Sequence, residues 1–178
     1  MITKNTVIIV QARQTSKRFP NKVLKKIGKL TICEIIKRRL SKCKLSKKVI
    51  FTIPHNKKNK KLLEHLKKIN AEIFLGSEKN VLERYYKTAK KYKAKNIVRI
   101  TSDCPLIEGK LVDDMIKKFQ KGKFDYINNA KPPHFSDGFD IEVFSFKLLR
   151  ETFLNSKTDL EKEHVTLYMK KKLKLKTA

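Results

Sequence analysis

Between positions 13 and 22 the chain gathers Arg13, Thr15, Ser16, Lys17, Arg18 and Lys22, a cluster of cations and hydroxyls suited to one task, holding an anion. Arginine grips phosphate oxygens bidentately through its planar fork, lysine acts as a point charge, and successive backbone N–H groups over residues 12–18 can form an anion-binding concavity. A bland alternative is that these cations follow the general lysine excess. Of 44 basic residues, however, only 7 are arginine, so two arginines within six positions is a concentration that lysine bias does not supply.

Two acidic constellations complement this loop. Asp103 stands in Arg99-Ile-Thr-Ser-Asp-Cys-Pro-Leu-Ile, just past a β-branched run. A carboxylate there is suited to Mg²⁺, which usually takes one or two carboxylates plus phosphate oxygens. It is equally suited to capping local N–H groups of a turn. Arg99 lies four residues earlier, and strand alternation predicts that both point to the same side. The second constellation is Ser136-Asp-Gly-Phe-Asp-Ile-Glu-Val-Phe, with carboxylates at Asp137, Asp140 and Glu142. Asp140 and Glu142 share strand spacing and could bind sugar hydroxyls or assist a metal, whereas Asp137-Gly138 alone is an ordinary turn.

The elements that must position these groups follow from periodicity. Strands are predicted over 7–10, 49–53, 72–75, 96–100, 126–128 and 141–146, the first of them an apolar run buried on both faces. Helices are predicted from 31, over 57–69, from 80, over 110–121, over 147–154 and over 160–173. Thr31 with Glu34 and Asn80 with Glu83 have capping-box spacing, and residues 25–29 read as a turn. Strands alternating with helices imply βαβ units, hence an α/β domain with a mainly parallel, doubly wound sheet covered on both faces. Ligands of such sheets sit at the carboxyl ends of the strands, where strand order reverses. All three constellations fall next to predicted strands, which is the bottom-up argument for a nucleotide site.

Composition narrows the alternatives. The 178 residues, 40% hydrophobic, suffice for one domain spanning 1–178. A net charge of +27 invites a nucleic-acid reading, but the lysines are spread along every helix and accompany 17 isoleucines, which fits compositional bias better than a specific nucleic-acid surface. Cys33, Cys43 and Cys104 lack metal or redox-motif spacing, and no early apolar run is long enough for a signal core or membrane span, so a cytoplasmic protein is expected. No Gly-rich dinucleotide or Walker motif is present.

The first loop, written Gln-Ala-Arg-x-x-Ser-x-Arg-x-Pro-x-Lys-Val-Leu, resembles the nucleotide loop of the cytidylyltransferases that make CMP-sugars, above all the branch of spore coat polysaccharide biosynthesis. Arg-Ile-x-x-Asp-Cys-Pro-Leu-Ile is similar to that branch's metal motif, and Asp-Gly-x-Asp-x-Glu-Val-Phe to its sugar side. The likeness runs from about residue 7 to 168 with the motifs in the family's order. It implies a nucleotide-diphospho-sugar transferase (Rossmann-like) fold and transfer of CMP from CTP to a sugar, a 2-keto-3-deoxy acid in family terms, with release of pyrophosphate for surface polysaccharide. It also implies Mg²⁺ on Asp103 and a homodimer. By the same likeness Arg13, Lys22 and Asp103 carry catalysis, and Gln11, Ala12, Arg13, Ser16, Arg18, Lys22, Ser77 and Arg99 bind the nucleotide. Asp137, Asp140, Glu142 and His164 then face the acceptor, His164 through the family-like stretch Glu163-His-Val-Thr166. The segment from Gly76 to Arg84 resembles the part beside base and ribose, although Glu83 and Arg84 read equally well as a helix start with an i,i+4 charge network.

Thr15 and Asn21 stand where relatives often have glycine; asparagine tolerates positive φ, and threonine would restrict the loop if positive φ were needed. Relatives usually continue to a further strand and helix with an additional metal aspartate, a feature not found before residue 178. Rival readings are a noncatalytic nucleotide-binding homologue, a basic nucleic-acid-binding module, and a glycosyltransferase, the last disfavoured for want of Asp-x-Asp after a strand.

Overall fold

Branched side chains that must be buried on both faces set the centre of the molecule. The structure is a computed structural model and describes residues 5–16, 19–130 and 138–171. Along the chain come β1 (Thr6–Gln11), the hairpin β2 (Lys26–Ile27) and β3 (Leu30–Thr31), α1 (Ile32–Leu40), β4 (Val49–Pro54), α2 (Lys60–Lys68) and β5 (Glu72–Gly76). They are followed by α3 (Val81–Lys91), β6 (Asn96–Thr101), α4 (Gly109–Gly122), β7 (Tyr126–Asn128), β8 (Glu142–Ser145), α5 (Phe146–Asn155), α6 (Asp159–Glu163) and α7 (Leu167–Lys171).

The large sheet has the order β5-β4-β1-β6-β8-β7. β1 is parallel to β4 and β6, and β4 to β5, while β8 runs antiparallel to both β6 and β7. The expected mainly parallel α/β sheet is therefore present. Val7 and Ile9 pack with Tyr85, Leu148 and Met169 on one face; Ile8 and Val10 pack with Ile36, Leu62, Leu66 and Ile116 on the other. All four strand residues are fully buried.

The chain first builds outward from β1 through β4 to β5, then returns to lay β6 on the other side of β1. The reversal point lies between β1 and β6, whose last residues Gln11 and Thr101 are register partners. Because β8 opposes its neighbours, it is its beginning, not its end, that reaches this rim.

Helix starts follow local chemistry. Thr31 and Glu34 close the predicted capping box, with the Thr31 N–H donating to the Glu34 carboxylate at 2.7 Å. Asn80 accepts from the Glu83 N–H at 2.8 Å, but Glu83 turns outward to Lys87, so only half of the second box forms. A box that the residue pattern did not bring to notice, Thr158 with Glu161, starts α6.

Three local expectations are corrected. The turn expected over 25–29 is present but narrowed to 28–29, joining a small hairpin, with Gly28 at φ 61°. The helix predicted over 57–69 begins as a 3-10 turn at Lys57–Asn59. The single helix predicted over 160–173 is divided into α6 and α7 among the described residues, because the backbone leaves helical geometry at His164 (φ −99°, ψ 69°). That break turns Val165 and Thr166 inward, and the Thr166 hydroxyl donates to Glu142 at 2.9 Å.

Candidate active site

At the β1/β6 reversal lies an open cleft of about 500 Å³, within the range of small-molecule sites. Arg13, Thr15, Ser16 and Lys22 reach it from the loop after β1, and Ser102 and Asp103 from the turn after β6. The chemistry-bearing groups thus meet as their placement beside strands predicted. Lys22 Nζ lies 3.1 Å from Asp103 Oδ2, with the two side chains 24% and 53% exposed. Burial alone would raise the Asp103 pKa, but the Thr101 hydroxyl and Lys22 outweigh it and hold the carboxyl below its usual range. It is ionised at neutral pH and partnered by a cation that solvent can replace.

Local backbone chemistry builds the loop. Asn21 takes the left-handed conformation (φ 58°) at the start of the 3-10 turn Lys22–Leu24, the tolerance that lets asparagine stand in for glycine. Thr15 is not among the residues with positive φ, so its β-branch carries no backbone strain there. Gln14 stitches the loop to the neighbouring helix: its N–H donates to Asn59 Oδ1 at 2.8 Å, and its Oε1 accepts from the Leu62 N–H at 3.2 Å.

The N–H concavity expected over 12–18 lies partly outside the described residues, and within them these bonds narrow it. The N–H groups of Ala12, Gln14 and Ser16 are already bonded to the Thr52 carbonyl, Asn59 and the Gln14 carbonyl. Ala12 is buried, and what the described loop offers the cleft is mainly the side chains of Arg13, Thr15, Ser16 and Lys22.

Behind the cleft lies a second cation–carboxylate pair. Arg99 Nη1 donates to Glu142 Oε2, and the same carboxylate accepts from the Tyr126 hydroxyl at 2.6 Å, the Thr166 hydroxyl at 2.9 Å and Lys170 at 2.6 Å. Burial pushes the Glu142 carboxyl up, yet Arg99 and Lys170 overcome it and hold it down at about 2. Burial likewise opposes the Arg99 charge, and Glu142 restores and strengthens it. Glu142 is only 6% exposed and saturated with partners, so its expected place among groups facing a sugar is corrected.

The reason is register. Glu142 is the cross-strand partner of Arg99, and strand alternation stops at Thr101, where a turn closed by the Cys104 N–H and the Thr101 carbonyl (3.1 Å) lifts Asp103 to the cleft. Arg99 stays beneath and reaches the cleft wall only through Gln11, at 3.4 Å.

The remaining expectations divide. Ser77 does not line the cleft; its hydroxyl accepts from the Asn80 N–H at 3.0 Å, while the adjacent Glu78 does line it. His164 is exposed at the end of α6, and its neighbour Glu163 is the cleft residue. Asp140 is exposed, with its backbone against Cys104. Arg18 and Asp137 lie outside the described residues. Glu78, Glu163 and Thr101 of the cleft, and the buried Arg84, lie in stretches named from the sequence but were not singled out there as site residues.

Mg²⁺ is the ion such a site implies. No group of three or more His, Cys, Asp or Glu suited to a metal occurs among the described residues. A half-exposed, ionised Asp103 beside cations suited to phosphate nevertheless fits an ion that draws most of its ligands from phosphate and water.

A cleft at the reversal point of a parallel sheet, with cations on one loop and an ionised carboxylate on the next, defines a nucleotide-binding protein of the α/β class. The chain belongs to the cytidylyltransferase family, whose profile matches residues 7–177. It is 34% identical over 173 residues to the spore coat polysaccharide biosynthesis protein SpsF of Bacillus subtilis, covering 92% of this chain and 69% of that protein. To the uncharacterized protein MJ1063 of Methanocaldococcus jannaschii it is 38% identical over 161 residues, covering 90% of this chain and 65% of the relative. The chain thus spans about two thirds of the length of these relatives. A cytidylyltransferase structure from Leptospira borgpetersenii superposes with a TM-score of 0.92 at 32% identity, covering 97% of this chain and 74% of the other. The fold is that of the nucleotide-diphospho-sugar transferases. No helix among the described residues is long and apolar enough to cross a membrane.

Proposed function

We propose that this chain transfers CMP from CTP to a sugar and releases pyrophosphate. The carrying observation is that Arg13, Lys22 and Asp103, from loops far apart in sequence, line one cleft at the reversal point of the sheet. In this reading an acceptor hydroxyl attacks the α-phosphorus in line, and the bond to the β-phosphate oxygen breaks. The protein has no covalent part to play; positioning and neutralisation of charge on the leaving pyrophosphate suffice. Arg13 holds phosphate oxygens, and Lys22, released from Asp103, follows the charge. A bound Mg²⁺, held by Asp103 and phosphate oxygens, would screen the triphosphate and polarise it.

The acceptor is proposed to be a 2-keto-3-deoxy sugar acid destined for surface polysaccharide, and the assembly a homodimer. The likeness to SpsF supports the polysaccharide context. The test is pyrophosphate release from each nucleoside triphosphate with Mg²⁺ across a panel of sugars. CTP with one sugar acid should stand out. Binding of CTP with no turnover on any sugar would select a noncatalytic nucleotide-binding role instead.

A further inference from the structure

Arg84 is the largest fully buried side chain of the described protein, 1% exposed on α3. Its Nη1 donates to the Ser77 carbonyl, and its buried Nε has no partner. Among the described residues no carboxylate hydrogen-bonds it; Arg13 and Glu78, both lining the cleft, act on its charge in opposite senses. Burial pulls its pKa down to about 10; Tyr85 opposes that, Arg13 adds to it and Glu78 opposes it. The group is a cation at neutral pH, and a buried cation with a donor left unpartnered and no carboxylate bonded to it is costly unless an anion comes near.

The backbone makes room for it. A Cβ on Gly76 would lie 2.9 Å from Arg84 Cγ and 3.2 Å from Phe74 Cε1, so the strand end is glycine where the arginine stem crosses it. Beyond Gly76, the Ser77 hydroxyl accepts from the Asn80 N–H, and Glu78 accepts from Asn56 Nδ2 at 2.7 Å. One end of this short turn is tied to a helix cap, its middle to Arg84, and its exposed carboxylate to the cleft wall.

We infer that Arg84 is a positioning residue of the nucleotide site: bound to the Ser77 carbonyl, it fixes the turn that presents Glu78, and its buried charge, with no carboxylate hydrogen-bonded to it, is stabilised through space by the polyphosphate of the bound nucleotide. This rests on the triphosphate reading above and adds to it a residue that never touches the ligand. Binding then relieves a tension built into the empty protein, which a purely structural arginine does not predict.

The experiment compares the full chain with Arg84→Met and Arg84→Lys, measuring the ligand-free thermal midpoint and the affinities for Mg²⁺·CTP and for inorganic tripolyphosphate. Arg84→Met should keep or raise the ligand-free midpoint and weaken both affinities by about tenfold or more. It should raise KM for CTP more than it lowers kcat, and Arg84→Lys should recover most of the tripolyphosphate affinity. A Met variant with a lower midpoint and unchanged affinities overturns the inference, as does an affinity loss that Lys leaves unrepaired. A wild-type chain that binds no triphosphate overturns both this and the proposed function; wild-type binding matched by Arg84→Met overturns this inference alone.

Discussion

Two cation–carboxylate pairs sit at the same corner of the sheet, and burial makes them different devices. Lys22–Asp103 bridges two loops at 3.1 Å with a half-exposed carboxylate. Arg99–Glu142 joins neighbouring strands, with side chains 18% and 8% exposed and with Tyr126, Thr166 and Lys170 filling the carboxylate. An exposed pair gains little from its own contact, so either partner can be surrendered to a ligand. A buried pair has already lost its water, and neither member can leave without stranding the other. On the function proposed above, the first is where an anion would enter; the second is the floor beneath it.

The strongest way to break this comparison is to remove Glu142. Glu142→Ala leaves the Arg99 charge buried with Gln11 and the Tyr85 ring beside it and no carboxylate bonded to it among the described residues, and should cost about 3–5 kcal/mol of stability. Urea unfolding of the variant reads the loss directly. A change below about 1 kcal/mol, the range of a surface pair, would show the two pairs to be alike.

Asp103→Asn should do the reverse. CMP transfer, measured as pyrophosphate release, should fall by about 10²–10³, the scale seen when one electrostatic contact to a transition state is lost. Stability should move by less than about 1 kcal/mol. A variant retaining full turnover would remove Asp103 from the chemistry, and a large loss of stability would make it part of the floor.

This contrast was only half legible beforehand. Arg13, Lys22 and Asp103 could be read because loops after parallel strands converge on one rim whatever the details of packing. Glu142 could not, since its fate depends on the direction of β8, and period-2 spacing carries no sign of strand direction. Arg84 was hidden by its own charge. It falls on the stripe Val81, Arg84, Tyr85, Thr88, Ala89, all buried, so helical spacing alone placed it inward. The break at His164 was likewise unreadable, because the Thr166 hydroxyl that it turns toward Glu142 meets a partner 24 residues away in sequence. The left-handed position of Asn21 was legible, as one of the few residue types that accept it.

Acid sharpens the comparison. The Glu142 pKa is depressed to about 2, so its contribution is fully present above the unfolded carboxylate range and is lost as pH falls from there through about 2. A shift of that size corresponds to roughly 3 kcal/mol. Glu142→Gln should therefore flatten the acid limb of the stability curve between about pH 4.5 and 2. Asp103→Asn should leave most of that limb in place, because the Asp103 carboxyl is half exposed. Stability followed by tryptophan-free methods such as circular dichroism across this range decides it, and equal flattening by both variants would contradict the division.

The smallest effect expected is the coupling within Lys22–Asp103 itself. A double-mutant cycle built on Lys22→Met and Asp103→Asn should return under about 1 kcal/mol of stability coupling at low salt, and less at 1 M, where the Debye length falls to about 3 Å. The Lys22→Met variant should nevertheless bind CTP more weakly, because its cation is lost to the phosphates even though the fold loses almost nothing. Coupling that exceeds 2 kcal/mol and persists in salt would mean the loops are locked together as tightly as the strands below them. An incoming triphosphate would then have to break a structural bond to enter, and Asp103 could not be handed to a metal.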